Sequence, residues 1–377
     1  MNTHLLVAPF DHALRTKRER LREAASRGKK VLGYFCTYTP VEILHAGGFL
    51  PVRIWGGRGP VEKAYSLVPN FICPYMKRSL ENALNNEYDF LSGLVQGYTC
   101  DVACGLVNIW KGNIPMIISH SVPLPYNDTL QSREFLRSVL GELMERLSKI
   151  GGSFPDGALG ASWDLYTQIR RALSDLSRRR SQGRLDLDAA DFVTVVQAGF
   201  VTEPEAYLTM LKELVSSPDP GCGVSPREGI PVLVSGSVVE DANVLALIGK
   251  HGLLVVADDL CTGLRSFTPA SGMGESPLER LVDRTMKRFP CPSRSHPRER
   301  IPLVKGLVAD SGARGVIFLF QKFCTPHLAD HPMVSQALRD DGIPSISIEM
   351  DEDGLLDAQV ATRLETFSGM LEAADGS

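Results

Sequence analysis

Eight cysteines stand in this 377-residue chain, and the placement of six of them suggests a site. Cys36 ends a short apolar run, and Cys100 follows the run over 90–98. Cys261 follows Val255-Val256-Ala257-Asp258-Asp259, and Cys324 follows Val316-Ile317-Phe318-Leu319-Phe320. Open parallel sheets bind ligands beyond the carboxyl ends of their strands, which is where these four thiols would lie. Cys73, in Phe71-Ile72-Cys73-Pro74, and Cys291, in Phe289-Pro290-Cys291-Pro292, sit in loops leading into polar segments. Thiolates are soft donors that select zinc, copper(I) or iron–sulfur clusters. Zinc sites pair their ligands two to four residues apart, and here the one close pair is Cys100 with Cys104, a helical turn away. Widely spaced single cysteines fit a cluster held between two domains better. A lone cysteine among apolar neighbours is more often a core residue, and Cys104 and Cys222 are read that way. Joint placement singles out Cys73, Cys100 and Cys324, while Cys36, Cys261 and Cys291 stay open to either reading.

The elements that must position these thiols alternate. Residues 12–27 read as a basic amphipathic helix. Residues 30–36 then form an apolar, β-branched and aromatic run bounded by polar residues, as a buried strand does. Thr39, Pro40 and Glu42 follow at capping-box spacing and open a helix that Gly47-Gly48 ends. Residues 49–55 are the next strand. Helix 78–86, strand 90–98, helix 102–110 and strand 114–119 continue the alternation, which argues for right-handed βαβ units and a parallel sheet. Segments 134–150, 163–179 and 203–215 are amphipathic helices, the last with Thr202 and Glu205 at capping-box spacing. A Pro/Gly/Ser-rich linker spans 216–226. Strands at 230–235, 253–257, 315–320 and 343–348 make a second α/β unit. The expected architecture is α/β. Two doubly wound parallel-sheet domains of Rossmann or flavodoxin type (1–127 and 217–377) flank a helical insert or lobe (128–216).

Composition narrows the function classes. A formal net charge of −4 gives no electrostatic case for nucleic acid or an anionic membrane surface, and Arg178-Arg179-Arg180 reads as a solvated helix face. No apolar run is long enough for a membrane span, and residues 1–10 lack the charged and apolar regions of a secretory signal. A cytoplasmic protein is expected. Eight cysteines in such a chain argue against a disulfide framework. There is no Gly-x-Gly-x-x-Gly turn and no Walker-type lysine, so nucleotide binding has little support. Gly236 could cradle an anion at a helix start. Asp258-Asp259 could meet a substrate or cap a helix. His45, His120 and His327 are read as structural.

Taken in order, these residues resemble the cluster-binding subunits of 2-hydroxyacyl-CoA dehydratases and benzoyl-CoA reductases (the 2-hydroxyglutaryl-CoA dehydratase D-component type) across nearly the whole chain. Gly33-Tyr34-Phe35-Cys36-Thr37-Tyr38-Thr39-Pro40 and Ala46-Gly47-Gly48-Phe49-Leu50-Pro51-Val52 carry it first. Cys73-Pro74 with Lys77-Arg78-Ser79, Thr99-Cys100-Asp101 with Trp110, and Asp258-Asp259-Leu260-Cys261-Thr262-Gly263-Leu264-Arg265 follow. Lys322-Phe323-Cys324, Gly342-Ile343-Pro344 and residues 359–365 close the series. The resemblance implies a 4Fe–4S cluster on Cys73, Cys100 and Cys324. It also implies a related cluster-binding subunit as partner (or a homodimer) and a separate ATP-dependent iron–sulfur activator as electron donor. The substrate it implies is an acyl-CoA thioester, reduced to a ketyl-type radical on the way to dehydration or ring reduction. Double-cubane cluster reductases of the same superfamily use further cysteines, for which Cys36, Cys261 and Cys291 are candidates, and a non-catalytic electron-relay subunit is the remaining alternative. Glu42 is read either as a substrate contact beyond the thiols or as the closing residue of its own capping box.

Overall fold

The computed structural model of the chain describes residues 3–217, 228–288, 290–351 and 358–374. Two helices open it, α1 (Thr3–Arg15) and α2 (Lys17–Ser26), where the sequence predicts one. Val7, Phe10 and Ala13 of α1 are buried against the helical part of the molecule. Strand β1 (Val31–Tyr34), helix α3 (Val41–Ala46), strand β2 (Leu50–Arg53), helix α4 (Pro74–Leu84), strand β3 (Leu91–Gly97), helix α5 (Asp101–Asn113) and strand β4 (Ile118–Val122) follow. Helices α6 (Leu130–Lys149), α7 (Ala158–Ser181), α8 (Ala189–Ala198) and α9 (Pro204–Val215) come next. The linker expected over 216–226 lies outside the described residues from 218 on, and Cys222 with it.

The second half repeats the alternation with β5 (Ile230–Gly236), α10 (Asn243–Lys250), β6 (Leu253–Asp259), α11 (Leu264–Phe267), α12 (Pro277–Met286), α13 (Pro297–Ser311), β7 (Gly315–Gln321), α14 (Thr325–Asp340), β8 (Ser345–Met350) and α15 (Ala358–Ala373). All pairings are parallel, and the orders are β2-β1-β3-β4 and β6-β5-β7-β8. This is one topology used twice. Each order reverses direction between its first-formed strand and the next but one, so the switch points lie at β1/β3 and β5/β7. Crevices at such switch points are where open α/β sheets take ligands. Central strands covered on both faces read as unbroken apolar runs; β7, Gly-Val-Ile-Phe-Leu-Phe-Gln, is buried throughout.

Packing fixes the helices that carry the thiols. Trp110 of α5 is fully buried, edge-on to Phe35 at 5.5 Å and stacked on Tyr88 at 5.8 Å. Aromatic pairs of this kind add about 0.5–1.5 kcal/mol beyond their area, and here they pin α5 under the end of β1. Gly97 ends β3 where a Cβ would meet the Tyr38 carbonyl at 2.9 Å. The loop after β1 can therefore close over it, with the Thr39 hydroxyl accepting the Gly97 N–H at 3.1 Å.

That contact overturns one local expectation. Thr39 does not cap α3, whose N-cap is Pro40 without a side-chain bond. Glu42 is buried and pairs with Arg170 of α7. The box at Thr202 and Glu205 is absent too: Glu205 pairs with His45 Nε2 at 2.9 Å. The capping box among the described helices stands at Ser276 and Glu279. The arginine run also differs from its expected solvated face. Arg178 faces solvent, but Arg179 and Arg180 are buried, and Arg180 donates to the Val255 carbonyl at 2.7 Å. No helix among the described residues is long and apolar enough to cross a membrane.

Glu42 makes the acid stability of the fold testable. Burial pushes its carboxyl up, but Arg170 and Arg284 more than offset this and hold it below its ordinary value of 4.5. A carboxyl depressed in the folded state stabilises fully above its unfolded pKa, and the contribution fades as pH falls through the folded value. Glu42→Gln is expected to cost about 2 kcal/mol near neutrality, because Arg170 keeps an acceptor but loses its counter-charge. It should also lose less stability than the parent between about pH 5 and about pH 3. Urea midpoints at both pH values check this, and equal acid sensitivity would refute it.

Candidate functional site

The two switch points face each other across one cavity of about 350 Å3. The first half contributes Phe35, Cys36, Cys73, Met76 and Cys100 from the ends of β1 and β3 and the start of α4; the second contributes Ser237, Cys261, Cys291 and Cys324. All six cysteines singled out by position thus line the same space, and Cys104 does not. All seven described cysteines are free thiols.

Cys73, Cys100 and Cys324 share a local geometry. Each is the N-cap residue of a helix: α4, α5 and α14 respectively. Proline in the first turn of α4 and α14 suits a position whose N–H has no intrahelical partner. The Cys100 sulfur accepts the Ala103 N–H at 3.5 Å. The amides of Met76 and Tyr75 favour the charged form of Cys73, and that of His327 favours it for Cys324. Three helix N-termini, each with partial positive charge, therefore converge on three thiols. Burial works the other way: it pushes Cys73 up to about 11 and drives Cys100 and Cys324 well above the ordinary thiol range. Charge on Cys73 or Cys100 raises Cys324 further. Left to themselves these thiols stay protonated. A metal centre between them would ionise them.

The second triad is built differently. Arg53 donates to the carbonyls of Phe35 and Cys261, each at 3.0 Å. Arg288 donates to the carbonyls of Thr37 and Arg265, and Arg300 to that of Pro290 at 2.8 Å. Arginine offers five donors in a rigid fork, and here the forks form a collar that clamps the backbone on either side of Cys36, at Cys261 itself and just before Cys291. Arg265 lies beside the Cys261 and Cys291 thiols. Burial lifts Cys261 to about 11, with Arg265 offsetting part of the rise. Asp259 is the anchor: its carboxylate meets Arg300 at 2.9 Å and Arg265 at 3.1 Å and accepts the Ser235 hydroxyl at 2.9 Å.

This arginine collar is not anticipated by the sequence, where only Arg265, inside the Cys261 stretch, carries a signal. Among the lesser expectations Gly236 and Glu42 are corrected, while the Asp258-Asp259 pair resolves at Asp258 to its helix-capping alternative. Asp259 is committed to arginines, and Asp258 caps the turn at α11 through the N–H groups of Leu260 and Leu264. Neither lines the cavity. Gly236 opens no helix: its carbonyl accepts from Arg265, and a Cβ there would collide with the Leu319 carbonyl. Glu42 lies outside the cavity lining. His45 joins Ser162 and Glu205 as a structural residue, whereas His327 lines the cavity. No three His, Cys, Asp or Glu side chains among the described residues are close enough to hold a single metal ion. A cubane's ligand sulfurs sit farther apart than those of one ion, so this spacing excludes only a preformed mononuclear site.

Comparison with known proteins gives a consistent result. Residues 36–371 match the family model described as 2-hydroxyglutaryl-CoA dehydratase, D-component. The chain is 27% identical to the (R)-phenyllactyl-CoA dehydratase beta subunit of Clostridium sporogenes, over 94% of this chain and 95% of that one. It is 28% identical to the beta subunit of lactoyl-CoA dehydratase from Anaerotignum propionicum (92% and 93%). It is 26% identical to one of the subunits of benzoyl-CoA reductase from Thauera aromatica (92% of both).

Proposed function

The chain belongs to the 2-hydroxyglutaryl-CoA dehydratase D-component family, and on that premise we propose that it is the iron–sulfur subunit of a low-potential radical enzyme acting on an acyl-CoA thioester. The observation that carries this reading is the convergence of Cys73, Cys100 and Cys324, each at a helix N-cap, from both halves into one cavity. The fit is chemical. Soft donors suit an iron–sulfur cluster, and three helix N-termini complement the negative charge of a cluster bound by thiolates. A bound 4Fe–4S cluster would supply one-electron reduction of the thioester. The residues themselves hold, shield and orient. Phe35, Met76, Val102 and Val238 give the cavity apolar walls, and first-turn N–H groups of α4, α5 and α14 would face charge developing on the thioester oxygen.

A related subunit is the expected partner, since each relative named above is one subunit of a larger enzyme. Exposed aromatic residues suit that interface: Phe71, Tyr98 and Phe323 each stand within two residues of a thiol of the first triad and remain open to solvent. A separate ATP-driven donor would deliver the electron, because the sequence holds no phosphate-binding loop; ATP hydrolysis by the isolated chain would contradict this. Free thiols throughout the described residues suit a reducing cytoplasm.

A second reading rests on the second triad. Cys36, Cys261 and Cys291 line the same cavity as the first three, as a double-cubane cluster would require. Iron and acid-labile sulfide on anaerobically purified protein separate the two. About four irons per chain are expected for one cubane and about eight for the double cluster. A chain that binds no iron after anaerobic reconstitution would overturn both.

A further inference from the structure

A second cavity, of about 70 Å3, lies where the first half, the helical part and the second half meet. We infer that it is a site for one small inorganic oxyanion of the phosphate or sulfate class, held by Arg284 with the Tyr34 and Tyr166 hydroxyls. Strand β1 brings Tyr34 to its wall, α7 brings Tyr166 and Arg170, and α12 brings Arg284. Charge carries the inference. Arg170, Arg284 and Arg288 are all buried, and Glu42 is the carboxylate that faces the three of them. Three guanidiniums against one carboxylate leave two positive charges uncompensated. Arg170 is engaged: it pairs with Glu42 and donates to the Ala270 carbonyl at 2.8 Å. Arg288 donates to the carbonyls of Thr37 and Arg265 and lies 4.5 Å from the Tyr38 ring centre. Arg284 differs. Its Nε donates to the Pro269 carbonyl at 2.9 Å, but its two terminal nitrogens meet no acceptor among the described residues. It is 4% exposed and lines the cavity.

Burial, with Arg170 and Arg288 beside it, pushes Arg284 well below the ordinary guanidinium range. Arginine does not give up its proton in proteins, so a counter-anion is what relieves a guanidinium crowded in this way. The donors suit an oxyanion. The terminal nitrogens of Arg284 form a fork that can meet two oxygens at once. Neither the Tyr34 nor the Tyr166 hydroxyl has a hydrogen-bond partner among the described residues, and both line the same space. Burial holds both phenols far above the ordinary tyrosine range, so they stay donors. Size sets the class: about 70 Å3 is the room of roughly two waters at about 30 Å3 each. A small oxyanion fits there, and a nucleotide or an acyl-CoA does not. The surplus of two charges favours a doubly charged ion over chloride.

Anion content and anion-dependent stability of the full chain, purified anaerobically in chloride buffer, test the inference. Oxyanion released by acid and read by ion chromatography, plus phosphate or sulfate taken up in calorimetric titration, should total about one per chain. Arg284→Met should weaken that binding at least about tenfold. In chloride alone it should unfold at the parent's urea concentration or a higher one, because an uncompensated buried charge is gone. In phosphate or sulfate at equal ionic strength the parent should be the more stable of the two. Comparing variant with parent in the same salt removes the general effect of these ions on folding. Tyr166→Phe leaves the charges in place and should also weaken binding, which covers an Arg284→Met chain that fails to fold. No oxyanion in the extract or the titration overturns the inference. So does equal binding by Arg284→Met, or by Tyr166→Phe where Arg284→Met does not fold.

Discussion

Replacing Cys73, Cys100 or Cys324 by serine in turn should each remove most of the iron and the broad visible absorbance of the anaerobically purified protein, and Cys104→Ser should remove none. The expected loss is large because two remaining protein ligands hold a cluster poorly, and serine is a harder, weaker ligand for iron than a thiolate. Unfolding would be the rival explanation for any cysteine variant, and here the fold argues against it. All three residues are N-caps. Serine is among the best N-cap residues, worth about 0.5–2 kcal/mol over a residue that cannot accept there. The iron-free variants should therefore unfold at the same urea concentration as the iron-free parent, or a higher one. Cys104 supplies the control from the same helix. It lies one turn along α5, buried and outside the cavity. Full retention of iron in any of the three variants would remove that residue from the ligand set, and loss of iron from Cys104→Ser would dissolve the contrast.

What is legible in the sequence, and what is not, follows the range of the interactions involved. Strands such as 315–321 are legible because burial on both faces leaves a run with no polar interruption. The strand ends then point to four cysteines and to one site. Capping is misread at Thr39 and Glu42 because spacing is local, whereas Glu42 is used by Arg170, 128 positions away. The buried arginines are illegible for the same reason. Arg53 stands singly and Arg288 and Arg300 sit among other charged residues, with nothing local to mark them, and their partners are brought near only by the folded chain: Arg53 reaches Cys261 across 208 positions, Arg288 reaches Thr37 across 251, and Arg300 reaches Asp259 across 41. Charge alone reads as solvated surface; only tertiary structure reveals the pairing that lets a guanidinium be buried.

Asp259→Asn should be the most destabilising single change in the second half, and its effect should reach two cysteines it does not touch. The carboxylate has no solvent exposure and faces two buried guanidiniums, Arg265 and Arg300, with Asp330 as the second anion. Removing one partner of a buried ionic group costs about 3–5 kcal/mol because the other charges are left uncompensated, a large share of the roughly 5–15 kcal/mol that holds a domain folded. Local consequences follow from what those arginines hold. Arg300 fixes the Pro290 carbonyl next to Cys291, and Arg265 fixes the Gly236 and Asp259 carbonyls beside the cavity. Cys261 and Cys291 should react faster with iodoacetamide in the variant, while Cys73 and Cys100, anchored in the first half, should keep their parent rates. Mass spectrometry of the alkylated peptides reads this directly. A quadruple variant, Asp259→Leu with Arg265→Met, Arg300→Met and Asp330→Leu, provides the sharper test. Exchanging a whole buried ionic group for apolar side chains is often neutral for stability, so it should regain much of the lost urea midpoint without restoring protection of Cys261 and Cys291. Recovery of both together would mean that packing, and not the arginine clamps, sets the second triad.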